Sequence, residues 1–85
     1  MPFEIIWSES ASKELKKLER PVAKRVFDAV SKLRDDPYRN LMRLANSPFY
    51  RLRVGDYRVI LNIKEEQLRV LVVKVGHRKK IYGKI

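Results

Sequence analysis

Arg51, Arg53 and Arg58 are the side chains of this sequence whose types and spacing point most directly to chemistry. They fall in the run from Tyr50 to Ile63, which reads as two strands joined by the two-residue turn Gly55-Asp56, a dipeptide suited to the primed turns of tight hairpins. A two-residue loop sets Val54 opposite Tyr57, Arg53 opposite Arg58 and Arg51 opposite Ile60. Side chains alternate along a strand, so all three arginines project from one face. Like charges directly opposite one another are destabilising, and an anion would relieve them. The planar guanidinium fork suits phosphate and stays protonated. These groups can clamp a phosphate or stabilise developing charge, but none can act as a base.

The second candidate group lies in the tail. Gly76-His77-Arg78-Lys79-Lys80 and Tyr82 gather the only histidine of the chain with three cations and a phenol. A histidine exchanges protons near neutral pH, and a tyrosine can stack on a base or move a proton if neighbouring cations lower its pKa. Other catalytic templates are absent. There is no glycine-rich phosphate loop and no metal-ligand spacing, so neither a metal nor a small-molecule cofactor is expected. Trp7, Phe27 and Phe49 are expected in the core.

These groups need a frame. Phe3 to Trp7 reads as a short strand, and Ser8 offers an N-cap with Glu9 in the first turn behind it. Ala11, Leu15 and Leu18 form one apolar stripe on a helix of about residues 9–19. Arg20-Pro21 opens a second helix, whose stripe is Val22, Val26, Val30 and Leu33, with Phe27 and Ala29 beside it. Asp35-Asp36-Pro37 ends it, and residues 37–48 read as a loop with one short turn near Leu41–Leu44. After the arginine hairpin comes a polar turn, Lys64 to Gln67. Leu68–Val75 is nearly continuous apolar sequence, as expected of a central strand. The predicted fold is a two-layer α+β domain spanning residues 1–85: an N-terminal strand, an antiparallel helical hairpin, then a three-stranded antiparallel meander completing the sheet. The helices cover the apolar face carrying Leu52, Val54, Tyr57, Val59, Leu61 and Ile63. The arginines face solvent on a shallow open surface, walled on one side by the tail.

Composition narrows the partners. The net charge is +10 over 85 residues. Residues 1–36 carry 8 Lys/Arg against 7 Asp/Glu, whereas residues 37–85 carry 12 against 3. Excess positive charge in the half that carries the arginine face points to nucleic acid, an acidic protein partner, or both. The absence of cysteine excludes a disulfide framework and a thiolate nucleophile. No apolar run approaches the roughly 20 residues that span a bilayer, so a cytoplasmic location without membrane association is expected.

At these residues the chain resembles the RelE family of bacterial and archaeal toxins, within the wider RelE/ParE superfamily. The resemblance covers almost the whole chain. It rests on the opening strand, on Ser8, Ala11, Leu15 and Leu18 of the first helix, on the phrase from Tyr50 to Ile60, and on Val75-Gly76-His77-Arg78-Lys79 followed by Tyr82. It implies the toxin of a type II toxin-antitoxin system, a metal-independent endoribonuclease that cuts messenger RNA in the ribosomal A site and is held by a RelB-like antitoxin. By motif, Arg58, Arg78 and Tyr82 are the implied catalytic residues, and Arg51 and Arg53 match basic substrate-binding positions. His77, Lys79 and Lys80 lie beside them. The first two hairpin positions are lysines in the best-known members and arginines here, which leaves Tyr82, His77, Lys79 or Lys80 to move protons. Two alternatives remain open: a ParE-like gyrase poison of the same fold, and a non-catalytic basic module binding RNA or an antitoxin.

Overall fold

The computed structural model describes residues 2–81, and Tyr82 lies outside them. Strand β1 (Glu4–Trp7) leads into helix α1 (Glu9–Lys17) and helix α2 (Arg20–Ser31), which ends in a 3-10 turn over Lys32–Arg34. Strands β2 (Leu41–Arg43), β3 (Phe49–Val54), β4 (Tyr57–Lys64) and β5 (Arg69–His77) follow, with a 3-10 turn at Glu65–Gln67 before β5. The sheet order is β1-β5-β4-β3-β2, with β1 parallel to β5 and every other pair antiparallel. No helix among the described residues is long and apolar enough to cross a membrane.

The two-layer α+β arrangement is as expected, with one strand more. Leu41–Arg43 pairs with Leu52, Arg51 and Tyr50 as an edge strand where a loop was expected. A three-residue strand is too short to show alternation, and Asn40 and Asn46 on either side read as loop because both take left-handed backbone (φ 58° and 54°). The free edge of β3 makes this segment a strand.

Helix α1 begins where Ser8 Oγ accepts the Ala11 N–H at 3.0 Å, and Lys16 and Lys17 in its last turn oppose the negative end of the macrodipole. Leu18 and Glu19, both extended, turn the chain into α2, with Pro21 in its first turn. Ala11, Val26, Val30 and Leu33 then cover Leu52, Val59, Leu61, Val70, Val72 and Val75 of the sheet. Full burial of one such side chain stabilises by roughly 1.5–3 kcal/mol. Phe27 is not in this core. It lies about 100° around the helix from Val26, is 49% exposed, and stacks on Trp7 at 6.1 Å.

An irregularity in β5 decides what the site contains. Ile60 pairs with Lys74 but Leu61 pairs with Val72, so Val73 is an extra residue, a β-bulge. Counting by twos from Val70 and Val72 would send Lys74 into the core. The bulge shifts the alternation, so Val75 faces the helices and Lys74 shares the face of Ile60. Ser8 fixes this point: its hydroxyl donates to the Val73 carbonyl at 3.0 Å while its N–H donates to the Val72 carbonyl at 2.9 Å. One serine thus caps α1 and anchors the bulge. Ser8→Ala should lower stability by about 1–2 kcal/mol, read as a lower urea midpoint with unchanged slope. Ser8→Thr should recover most of the loss. An unchanged midpoint in Ser8→Ala would show that the bulge holds without its anchor.

Candidate nucleic-acid interface

The β3–β4 register is the one expected: Val54 opposite Tyr57, Arg53 opposite Arg58 and Arg51 opposite Ile60. Gly55 alone has positive φ at the turn (58°), which is the II′ pattern with glycine first. Two rows of side chains therefore cross the face away from the helices. One runs Met42, Arg51, Ile60, Lys74; the next runs Arg53, Arg58, Gly76.

This face is less open than the sequence suggests. Arg58 is only 9% exposed, because its guanidinium folds over the hairpin tip and Nη1 donates to the Gly55 carbonyl at 2.8 Å and the Tyr57 carbonyl at 2.9 Å. Carbonyl oxygens satisfy N–H groups without cancelling the charge, so a positive centre is held rigidly beside Arg53. Ile60 is fully buried yet stands outside the helix-side cluster. Phe49, expected in the core, is half-buried and shares the face of Asn62 by register. The tail walls the face as expected. Lys80 N–H donates to the His77 carbonyl at 2.9 Å, and buried Ile81 seats against Gly76, where a Cβ would meet Ile81 Cδ1 at 2.9 Å. Glycine at position 76 lets the tail fold down beside Arg58.

Arg78 converges on the same turn from the tail. Its N–H donates to the Asp56 carbonyl at 2.8 Å and its Nε lies 3.8 Å from Asp56 Oδ1. Arg25 arrives from α2, its Nη2 at 3.3 Å from where a Gly55 Cβ would stand. Four arginines, Arg25, Arg53, Arg58 and Arg78, thus surround a turn that offers one carboxylate, Asp56. Arg51 is half-buried in the neighbouring row, with Nη2 3.0 Å from Met42 Sδ.

The structure does not bring all the expected residues together. His77 pairs with Tyr57 on the helix side of the sheet, meets its ring edge-to-face at 5.5 Å, and lines a cleft with Lys80 and α1. Its Nδ1 accepts the Lys79 N–H at 3.2 Å. Lys79 and Lys80 are exposed. Tyr38 meets Tyr50 edge-to-face, and partial desolvation, then the nearby Glu65 carboxylate, pushes its phenol pKa up. Two groups escaped the sequence reading, Arg25 and Lys74. Arg25 flanks an apolar stripe that does not say which strand lies beneath, and Lys74 is hidden by the bulge. Lys74 stands diagonal to Arg58 across the β4–β5 pair, a separation that long side chains bridge. No group of three His, Cys, Asp or Glu side chains that could hold a metal occurs among the described residues.

The arrangement is a cationic rim around the hairpin tip. Residues 5–82 match the family described as the ParE toxin of the type II toxin-antitoxin system parDE. The chain belongs to the RelE/ParE toxin superfamily. Solved structures share its fold. In the toxin-antitoxin complex RelBE2 of Mycobacterium tuberculosis the matching chain is 25% identical, with 92% of this chain and 93% of that one covered and a TM-score of 0.80. In the archaeal RelE-RelB complex of Pyrococcus horikoshii the values are 22%, 100% of both chains and 0.82. For the intact Escherichia coli RelBE complex they are 26%, 88% and 95%, and 0.75. No curated protein sequence gives a significant match.

Asp56 sets a test of whether this turn binds anions. Its pair with Arg78 is exposed and contributes little to stability, about 0–1 kcal/mol. Asp56→Asn should leave the melting temperature in low-anion buffer nearly unchanged. It should enlarge the rise in melting temperature produced by inorganic phosphate, and Arg78→Ala should shrink that rise. Equal rises in all three proteins would mean that phosphate does not bind at the turn.

Proposed function

We propose that this RelE/ParE-superfamily toxin is a ribosome-dependent endoribonuclease that cleaves messenger RNA in the A site without a metal ion and so stops translation. The carrying observation is the convergence of Arg58 and Arg78 on the Gly55-Asp56 turn, with Arg53 opposite and Arg25 above it. Cleavage by 2′-hydroxyl attack needs that hydroxyl deprotonated, the pentavalent phosphate's charge stabilised, and the leaving 5′-oxygen protonated. Arg58, held by two turn carbonyls, supplies the second requirement as preorganised charge, and the exposed Arg78 adds to it. Arg51 and Arg53 position the strand. Proton transfer falls to Tyr82, with Lys74, Lys79, Lys80 and His77 as the other candidates. Of these Lys74 shares the arginine row by register and His77 the Tyr57 row, and both line one cleft with Lys80 at the sheet edge. So few proton-transfer groups fit an enzyme whose substrate is ordered by the ribosome.

A RelB-like antitoxin is the proposed partner. The neighbours from Mycobacterium tuberculosis, Pyrococcus horikoshii and Escherichia coli are toxin-antitoxin complexes, and a +10 chain favours an acidic ligand. The matching family is named for ParE, which favours a second reading, a DNA gyrase poison of the same fold. The two part cleanly in experiment. Under the nuclease reading, primer extension on messenger RNA after induction shows codon-phased cuts that persist when free divalent metals are chelated down to the level ribosomes tolerate. Arg58→Ala and Arg78→Ala each reduce cutting by about 10²–10³-fold and relieve growth arrest. DNA damage without such cuts would establish the poison.

A further inference from the structure

A second basic site lies between the end of α2 and the open edge of β3. It is a cleft of about 450 Å³ with an apolar floor of Ala29, Leu33 and Leu52 and a rim of Lys32, Arg39 and Arg53, within the size range of ligand clefts. Its origin is topological. The edge strand β2 covers β3 only as far as Leu52, which pairs with Leu41, so the edge at Arg53 stays open. The chain leaves α2 through Lys32 and returns through Arg39, and Asn40 in left-handed conformation turns it into β2.

Three cations gather on one rim with no acidic side chain in the lining. Asp35 and Asp36 belong to the same loop but do not line the cleft, and the Asp36 carbonyl accepts the Arg39 N–H at 3.2 Å. None of the three cations forms an ion pair among the described residues. Lys32 at the end of α2 is accounted for by the helix dipole. Arg39 has no such explanation. Arg53 also stands opposite Arg58, so the cleft and the hairpin tip share a residue at the open edge of β3.

We infer that this cleft holds a phosphodiester of single-stranded RNA flanking the bond at the hairpin tip. Lys32, Arg39 and Arg53 contact the phosphate oxygens, and the apolar floor takes the adjoining sugar or base. The inference deepens the nuclease reading and rests on it. Its test therefore uses a probe that cannot be cut: a short 2′-O-methyl RNA oligonucleotide, titrated by fluorescence anisotropy over a range of salt concentrations. Each phosphate contact contributes about 0.7 to the slope of log affinity against log salt for single strands. Lys32→Ala with Arg39→Ala should lower the slope by about 1.4 and weaken binding roughly tenfold at moderate salt. Both side chains are exposed, so the fold should survive. The charge-preserving pair Lys32→Arg with Arg39→Lys should keep the wild-type slope. An unchanged slope in the alanine pair, or a slope lost equally in the charge-preserving pair, overturns the inference. So does intact RNA binding with lost antitoxin binding, which would make the cleft a protein-docking surface. Because the probe lacks a 2′-hydroxyl, the result does not depend on whether the toxin cuts. Failure of cleavage would appear instead in the primer-extension experiment.

Discussion

Two guanidinium groups held across one strand pair cannot neutralise each other, and the architecture around the β3–β4 hairpin follows from keeping Arg53 and Arg58 there. The II′ turn at Gly55 fixes the register that sets them opposite. Arg58 is then folded back onto the turn carbonyls, which fixes its guanidinium without discharging it. Among the described residues the turn itself offers one carboxylate, Asp56, to four arginines, so the tip keeps a positive field. A helix layer on the opposite face supplies the burial that offsets this repulsion, through Val59 and Leu61 of the same strand that carries Arg58.

The division of labour within the sheet is therefore strict. Every second residue of β3 and β4 builds the core, and the residues between them build the site. Only β5 breaks the pattern, and it does so at the one residue, Val73, that Ser8 holds by a side-chain hydrogen bond. The break brings Lys74 onto the arginine face and leaves Val75 inward, at the point where a capping serine far away in sequence is hydrogen-bonded. Gly76 acts in the same region by a different route. Its missing side chain admits Ile81, and the tail closes one wall of the site.

Much of this was legible in the chain. The hairpin register, the outward arginines, the Ser8 cap, the two helical stripes and the basic bias of residues 37–85 all follow from alternation, periodicity and charge. The edge strand Leu41–Arg43 was not legible, because three residues flanked by Asn40 and Asn46 carry no periodic signal. Phe27 was misplaced because hydrophobicity does not say which flank of a stripe the sheet will cover. His77 was placed near the arginines by its neighbours in sequence, yet strand pleating turns it to the helix side opposite Tyr57.

The sequence by itself determined that this protein presents a row of permanent cations, because a two-residue turn and a period of two leave Arg51, Arg53 and Arg58 no other face. Only the tertiary structure decided how those cations are used. Arg25 reaches the turn because α2 packs over β3. Arg78 reaches it because the tail leaves β5 beside the hairpin tip. Lys74 joins because of a bulge, and Lys32 meets Arg39 and Arg53 because β2 stops short. Each of these depends on contacts between segments distant in the chain, which local periodicity does not encode.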